Sequence, residues 1–121
     1  MWLFVAAVNL ALAVMFGAFG AHAIKARVSA EQLGWWHTAT EYFFWHALGL
    51  LVIGALLRLQ PTLKLSGAAV ALQLGIVVFC GSLYLMALGA PRWFGAITPL
   101  GGTALIIGWV WLATIAWKTA T

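Results

Sequence analysis

Charge is what this chain has least of. Its 121 residues include six Lys or Arg and two acids, so charged residues make up 7% where about 25% is usual in a soluble domain. A soluble domain of this size needs charged faces to stay in solution, and that class is excluded. The net charge of +4 comes from scattered cations and a shortage of acids, not from a basic patch, so nucleic acid is excluded as a partner. Cysteine is nearly absent too. Cys80 is the only one, which rules out an intrachain disulfide, and its apolar surroundings read as an inert core thiol. There is no Asn-x-Ser/Thr sequon, and no HExxH, CxxC or CxxCH motif that would announce a metal or haem. Strict apolar–polar alternation is missing as well, so a membrane β-barrel is excluded.

What the chain does have is apolar length. Apolar residues make up 65%, and four runs are long enough to cross a bilayer, which takes about 20 residues. They cover residues 2–24, 38–59, 65–88 and 98–117. In lipid the backbone must satisfy its own hydrogen bonds, so these runs are helices. The expected fold is all-α: a polytopic membrane protein, an antiparallel bundle of four transmembrane helices in one domain spanning 1–121. The stretch 79–109 organises the rest. Two apolar runs meet there at a short polar break, Gly89 to Trp93, and Arg92 is its only charge. The first run ends in Ala21-His22-Ala23, which has the form of a signal cleavage site. No Lys or Arg precedes it, however, and it is about twice the length of a signal core, so a retained span is expected.

The loops carry stop and start signals. Pro61 ends the second run, and Arg58 and Lys64 can snorkel to headgroups. Ser29 with Gln32, and Thr38 with Glu41, both match a capping box, so the second helix starts at one or the other. Thr98 is expected to cap the last helix, with Pro99 at its first position, where the missing N–H costs nothing. Four spans put both ends on one side. Trp2 and Trp117 are expected at that interface, and Trp35, Trp36 and Trp93 at the other. The cations divide evenly, with Arg58, Lys64 and Lys118 facing Lys25, Arg27 and Arg92, and the cytoplasmic side is preferred for both termini. Small residues recur along the helices: Ala13, Gly17 and Ala21; Gly67, Ala71 and Gly75; Gly101, Ala104 and Gly108. They allow close helix approach, within one chain or between copies.

Ionisable and polar groups inside spans are functional candidates by default. Those singled out are His22, Glu41, Tyr42, His46, Ser82 and Tyr84, with Asn9, His37 and Gln73 beside them. His37 and Glu41 are about 40° apart on a helix and can share a face, whereas His37 and His46 lie on opposite faces. One helix therefore cannot give both histidines to one ion, and no metal or cofactor is expected. The structural alternative for His46 is a neutral ring that bonds Tyr42, Ser82, Tyr84 or Asn9 across helices. For Glu41 it is a helix start, or an ion pair with Lys25, Arg27 or Arg92. No catalytic triad, carboxylate pair or phosphate loop is present.

The motifs GAFGAH (17–22), Thr38-Ala39 with Tyr42 and His46, GSLYL (81–85), GAITPLGG (95–102) and Gly108-Trp109 occur in this order. The chain thereby resembles the uncharacterised family called domain of unknown function 423. The resemblance covers nearly its whole length. It implies a small, multi-pass bacterial inner-membrane protein and no established activity. His22, Tyr42, His46, Ser82, Tyr84, Thr98 and Pro99 match the family pattern; Phe43 stands where a polar residue is usual. The function expected is non-enzymatic: a structural, accessory, or lipid- or partner-binding component of the bilayer. The alternative is a small oligomeric transporter or channel using Tyr42 and His46. The partners expected are the lipid bilayer and a second copy or another membrane protein.

Overall fold

A computed structural model describes residues 1–120. Helix α1, Trp2–Phe19, runs on into a wide π turn, Gly20–Ile24. Helix α2 is Ala30–Leu59. The third span comprises α3 (Ser66–Gly75), a second π turn (Ile76–Cys80) and α4 (Gly81–Ala87). A 3-10 turn, Arg92–Ala96, leads into α5, Thr98–Ala120. Four of these helical stretches are long and apolar enough to cross a membrane: Trp2–Ile24, Ala30–Leu59, Ser66–Ala87 and Arg92–Ala120. Joined by short loops, they form the antiparallel bundle.

The second helix begins at Ala30, earlier than the residue-38 boundary. Ser29 decides this. Its hydroxyl accepts from the Gln32 N–H at 3.1 Å, and the Gln32 side chain accepts from the Ser29 N–H at 3.0 Å. That closes a capping box and satisfies two orphan donors, so Thr38 and Glu41 are simply interior residues of the helix. Thirty residues of helix extend about 45 Å, against about 30 Å of hydrocarbon. Helix α2 is therefore long enough to cross with turns to spare.

The second and third spans form the centre. Of their most apolar windows 39% and 44% is buried, against 22% and 17% for the first and fourth. Helix α1 packs on α2, α2 on the third span, and the third span on α5. The core is built from Leu50, Ile53, Leu65 and Leu72, with alanines such as Ala6, Ala13, Ala39 and Ala47 letting the helices close up. Closest approach occurs at Gly101, where a β-carbon would overlap the backbone of Phe79. This crossing brings α5 onto the second π turn.

One expectation about the loops is corrected. Thr98 does not cap α5. The 3-10 turn runs straight into the helix, and the Leu100 and Gly101 N–H groups donate to the Ile97 carbonyl, at 3.0 and 3.4 Å. No orphan donor is left for Thr98. The break at residues 88–90 is a Schellman motif: Ala90 N–H donates to Leu85 C=O at 2.9 Å and Gly89 N–H to Met86 C=O at 3.1 Å. Gly89 takes φ +109°, which a side chain would strain.

Candidate functional site

The polar residues picked out from the sequence do not meet at one point. They divide into separate sets, each joining a different pair of helices. At the loop end of the first three spans, the Trp36 indole N–H donates to the Phe16 carbonyl at 2.8 Å. Thr40 donates to the Trp36 carbonyl at 3.0 Å, so the Tyr84 phenol is the donor in its 2.7 Å bond to Thr40. One chain of hydrogen bonds thus ties α4 to α2 and α2 to α1. Rings pack around it: Tyr84 meets Phe16 and Trp36 edge-on, with centroids 5.0 and 4.4 Å apart. Gly20 makes room for the Trp36 ring, since a β-carbon there would overlap the indole. Trp36 is buried and belongs to this core, not to the interfacial belt.

A second set joins α4 to α5. Ser82 donates to the Phe79 carbonyl at 3.0 Å, and Thr98 approaches Ser82 at 2.6 Å. A third lies deeper, where Asn9 on α1 donates to the Gln73 side-chain oxygen on α3 at 2.7 Å and to the Val5 carbonyl at 2.8 Å.

His46 is buried apart from all three. Its Nδ1–H donates to the Tyr42 carbonyl one turn back, at 2.7 Å, because a carbonyl can only accept. The interhelical partners expected for it, Ser82, Tyr84 and Asn9, are engaged elsewhere, and its bond stays within α2. Its ring stacks parallel to Tyr42 at 5.8 Å and meets Trp109 at 5.9 Å, while Tyr42 leans on Phe79 at 4.6 Å. Among the described residues every buried side-chain nitrogen or oxygen has a partner.

The remaining candidates are outside. His22 is exposed on the first π turn, and Glu41 is exposed on α2. Arg92 pairs with Glu31, not Glu41, at 2.8 Å, and lies over the Trp35 ring at 5.9 Å. The early start of α2 explains this choice, because it carries Glu31 up to the level of the third loop. Among the described residues no three of His, Cys, Asp and Glu gather as metal ligands would. Thr40 was missed from the sequence. A threonine that donates to its own helix leaves no period or motif to find it by, and only the approach of Tyr84 reveals its use.

One large recess opens beside the first set. It holds about 650 Å³ between α1 and α4 and is lined by Met15, Phe16, Phe19, Trp36, Tyr84 and Leu88. The polar atoms of Trp36 and Tyr84 are already bonded inward. What the recess offers is an apolar surface near one end of the bundle, suited to hydrocarbon and not to ions.

The proteins of unknown function DUF423 match this chain over residues 16–102. The UPF0382 membrane protein SERP0230 of Staphylococcus epidermidis is 45% identical over 114 residues, 94% of this chain and 93% of its own length. The UPF0382 membrane protein YwdK of Bacillus subtilis is 42% identical over 113 residues, 93% and 92% of the two chains. The UPF0382 inner membrane protein YgdD of Escherichia coli is 36% identical over 104 residues, 86% and 79%. No solved structure matches. The matched region runs from Phe16, at the Trp36 indole, to Gly102, beside the crossing at Phe79, and so takes in the first two polar sets whole. On these matches the chain belongs to the DUF423 family of membrane proteins, whose function is unknown.

Proposed function

We propose that this protein is a non-enzymatic component of the bacterial inner membrane, a structural or accessory protein whose outer faces hold lipid or a membrane-protein partner, a second copy included. One observation carries the reading: three pairs of polar side chains inside the spans bond one another within the bundle. Asn9 bonds Gln73, Thr40 bonds Tyr84, and Ser82 bonds Thr98. A conducting path needs polar groups that face a shared wet cavity. Here His46 is buried against Trp109, Tyr42 leans on Phe79, and the recess beside Trp36 and Tyr84 is apolar. The relatives are named only as membrane proteins.

The start of α1 and the end of α5 are assigned to the cytoplasmic face. Paired fusions at the C-terminus, one reporter active only inside the cell and one only outside, read the orientation. The main test is reconstitution in liposomes. Proton and potassium flux are expected to match protein-free vesicles. Flux that appears with the protein and vanishes in His46→Ala would overturn the reading in favour of transport.

A further inference from the structure

We infer that the outer face of α4 is a binding site for a diacyl phospholipid with an anionic headgroup, an inference that rests on the lipid-holding reading above. Gly81 and Leu85 form a ridge with an apolar groove on each side. The first is the recess of about 650 Å³ between α1 and α4. The second holds about 370 Å³ toward the start of the fourth span, against Val78, Phe94 and Ile97. Both grooves count Gly81 and Leu85 among their walls. Their polar groups are spent: Tyr84 on Thr40, Trp36 on Phe16, Ser82 on Phe79 and Thr98. Two apolar grooves that share Gly81 and Leu85 as a wall suit the two chains of one lipid. They do not suit a helix, which is about 10–12 Å across. Leu85, half exposed on the ridge, would hold a helix off both troughs.

Charge selects the headgroup. The grooves lie toward the end of the bundle that carries the first and third loops. Phe19, in the wall of the larger groove, is followed by exposed His22, Lys25 and Arg27. At that end Arg92 is engaged by Glu31, and Glu41 stands about 140° round α2 from Trp36, away from the groove. Among the described residues no acid pairs with Lys25 or Arg27. Two cations without an acidic partner at that end of the bundle would draw an anionic phosphate, since long side chains can lie along apolar surface to reach it.

Native mass spectrometry of the full chain in detergent tests this, with phosphatidylglycerol or phosphatidylcholine added as the probe. One phosphatidylglycerol is expected to bind, preferred over phosphatidylcholine by about thirtyfold, the effect of two surface cations. Lys25→Gln with Arg27→Gln should erase the preference while leaving one lipid bound. Gly81→Phe should abolish the adduct. A β-carbon at Gly81 meets nothing within 4 Å, so this variant is expected to fold, and an unchanged melting temperature would show that it has. Equal binding of the two lipids by the unaltered chain would overturn the proposal. So would an adduct that survives Gly81→Phe, or a dimer mass that Gly81→Phe dissolves without loss of lipid. None of these results produces flux in liposomes, so the failure of this site is distinct from the failure of the broader reading.

Discussion

The Tyr84 phenol donates to Thr40 across the α4–α2 contact at 2.7 Å, and the Thr40 hydroxyl donates in turn to the Trp36 carbonyl. The hydroxyl of Thr40 thus stays satisfied when the phenol is removed. Tyr84→Phe is expected to destabilise the bundle by only about 0.6 kcal/mol, the usual worth of one such bond in a membrane. Trp36→Ala should cost several times more, about 3–5 kcal/mol, because it also empties the seat against Gly20 and Phe16. Reversible unfolding in mixed micelles, followed for both variants and the pair, separates the hydrogen bond from the packing.

Gly101 and Gly34 are both helical glycines and should respond in opposite directions. A β-carbon at Gly101 would overlap the Phe79 backbone, which cannot swing aside. Gly101→Ala is expected to force α5 away and lose about 1–3 kcal/mol. At Gly34, exposed on α2, nothing stands within 4 Å. Gly34→Ala should gain about 0.5–1 kcal/mol through reduced backbone entropy. The melting temperatures of the two variants, taken in one detergent, test both signs.

Two contacts hold the start of α2, and they are unequal. Ser29→Ala breaks the capping box and should cost about 1 kcal/mol. Glu31→Gln breaks the Arg92 pair, but those side chains are 80% and 55% exposed, so the loss should stay below about 1 kcal/mol and shrink with added salt. Hydrogen exchange at residues 30–34 is the readout: faster in Ser29→Ala at any ionic strength, and in Glu31→Gln only at low salt.

Cys80 is 2% exposed at the end of the second π turn, under the core. A maleimide soluble in the bilayer should leave it unmodified while the bundle is folded and label it once the bundle is opened in denaturing detergent. Mass spectrometry of the intact chain counts the adduct. Labelling of the folded protein at the unfolded rate would show that the third span leaves the bundle readily.

Much of the architecture was legible because the bilayer makes composition decisive. Few charges and four long apolar runs admit only spanning helices, and Pro61 and the glycine at 89 mark where they stop. The start of α2 was legible only as a choice. Ser29-x-x-Gln32 and Thr38-x-x-Glu41 are equal as patterns, and the choice fell to the box that closed. The two π turns left no mark in the sequence. Nor did the inward turn of Trp36, since an aromatic near a helix end suits a belt as well as a core.

The polar residues show the division most clearly. From the sequence alone His22, Glu41, Tyr42, His46, Ser82 and Tyr84 form one set, because each is a polar group within or beside an apolar run. Their distribution depends on which helix faces lie opposite one another. That is set by close approaches such as Gly101 on Phe79 and Gly20 on Trp36, which involve residues far apart in the chain. The sequence by itself determined that this is an all-helical membrane protein of four spans, because unpaired backbone and charge are intolerable in hydrocarbon. Only the tertiary structure decided that Asn9 with Gln73, Thr40 with Tyr84 and Ser82 with Thr98 tie the helices to one another, while a pair of apolar grooves is left open along α4, because which helix faces meet is set by residues far apart in the chain.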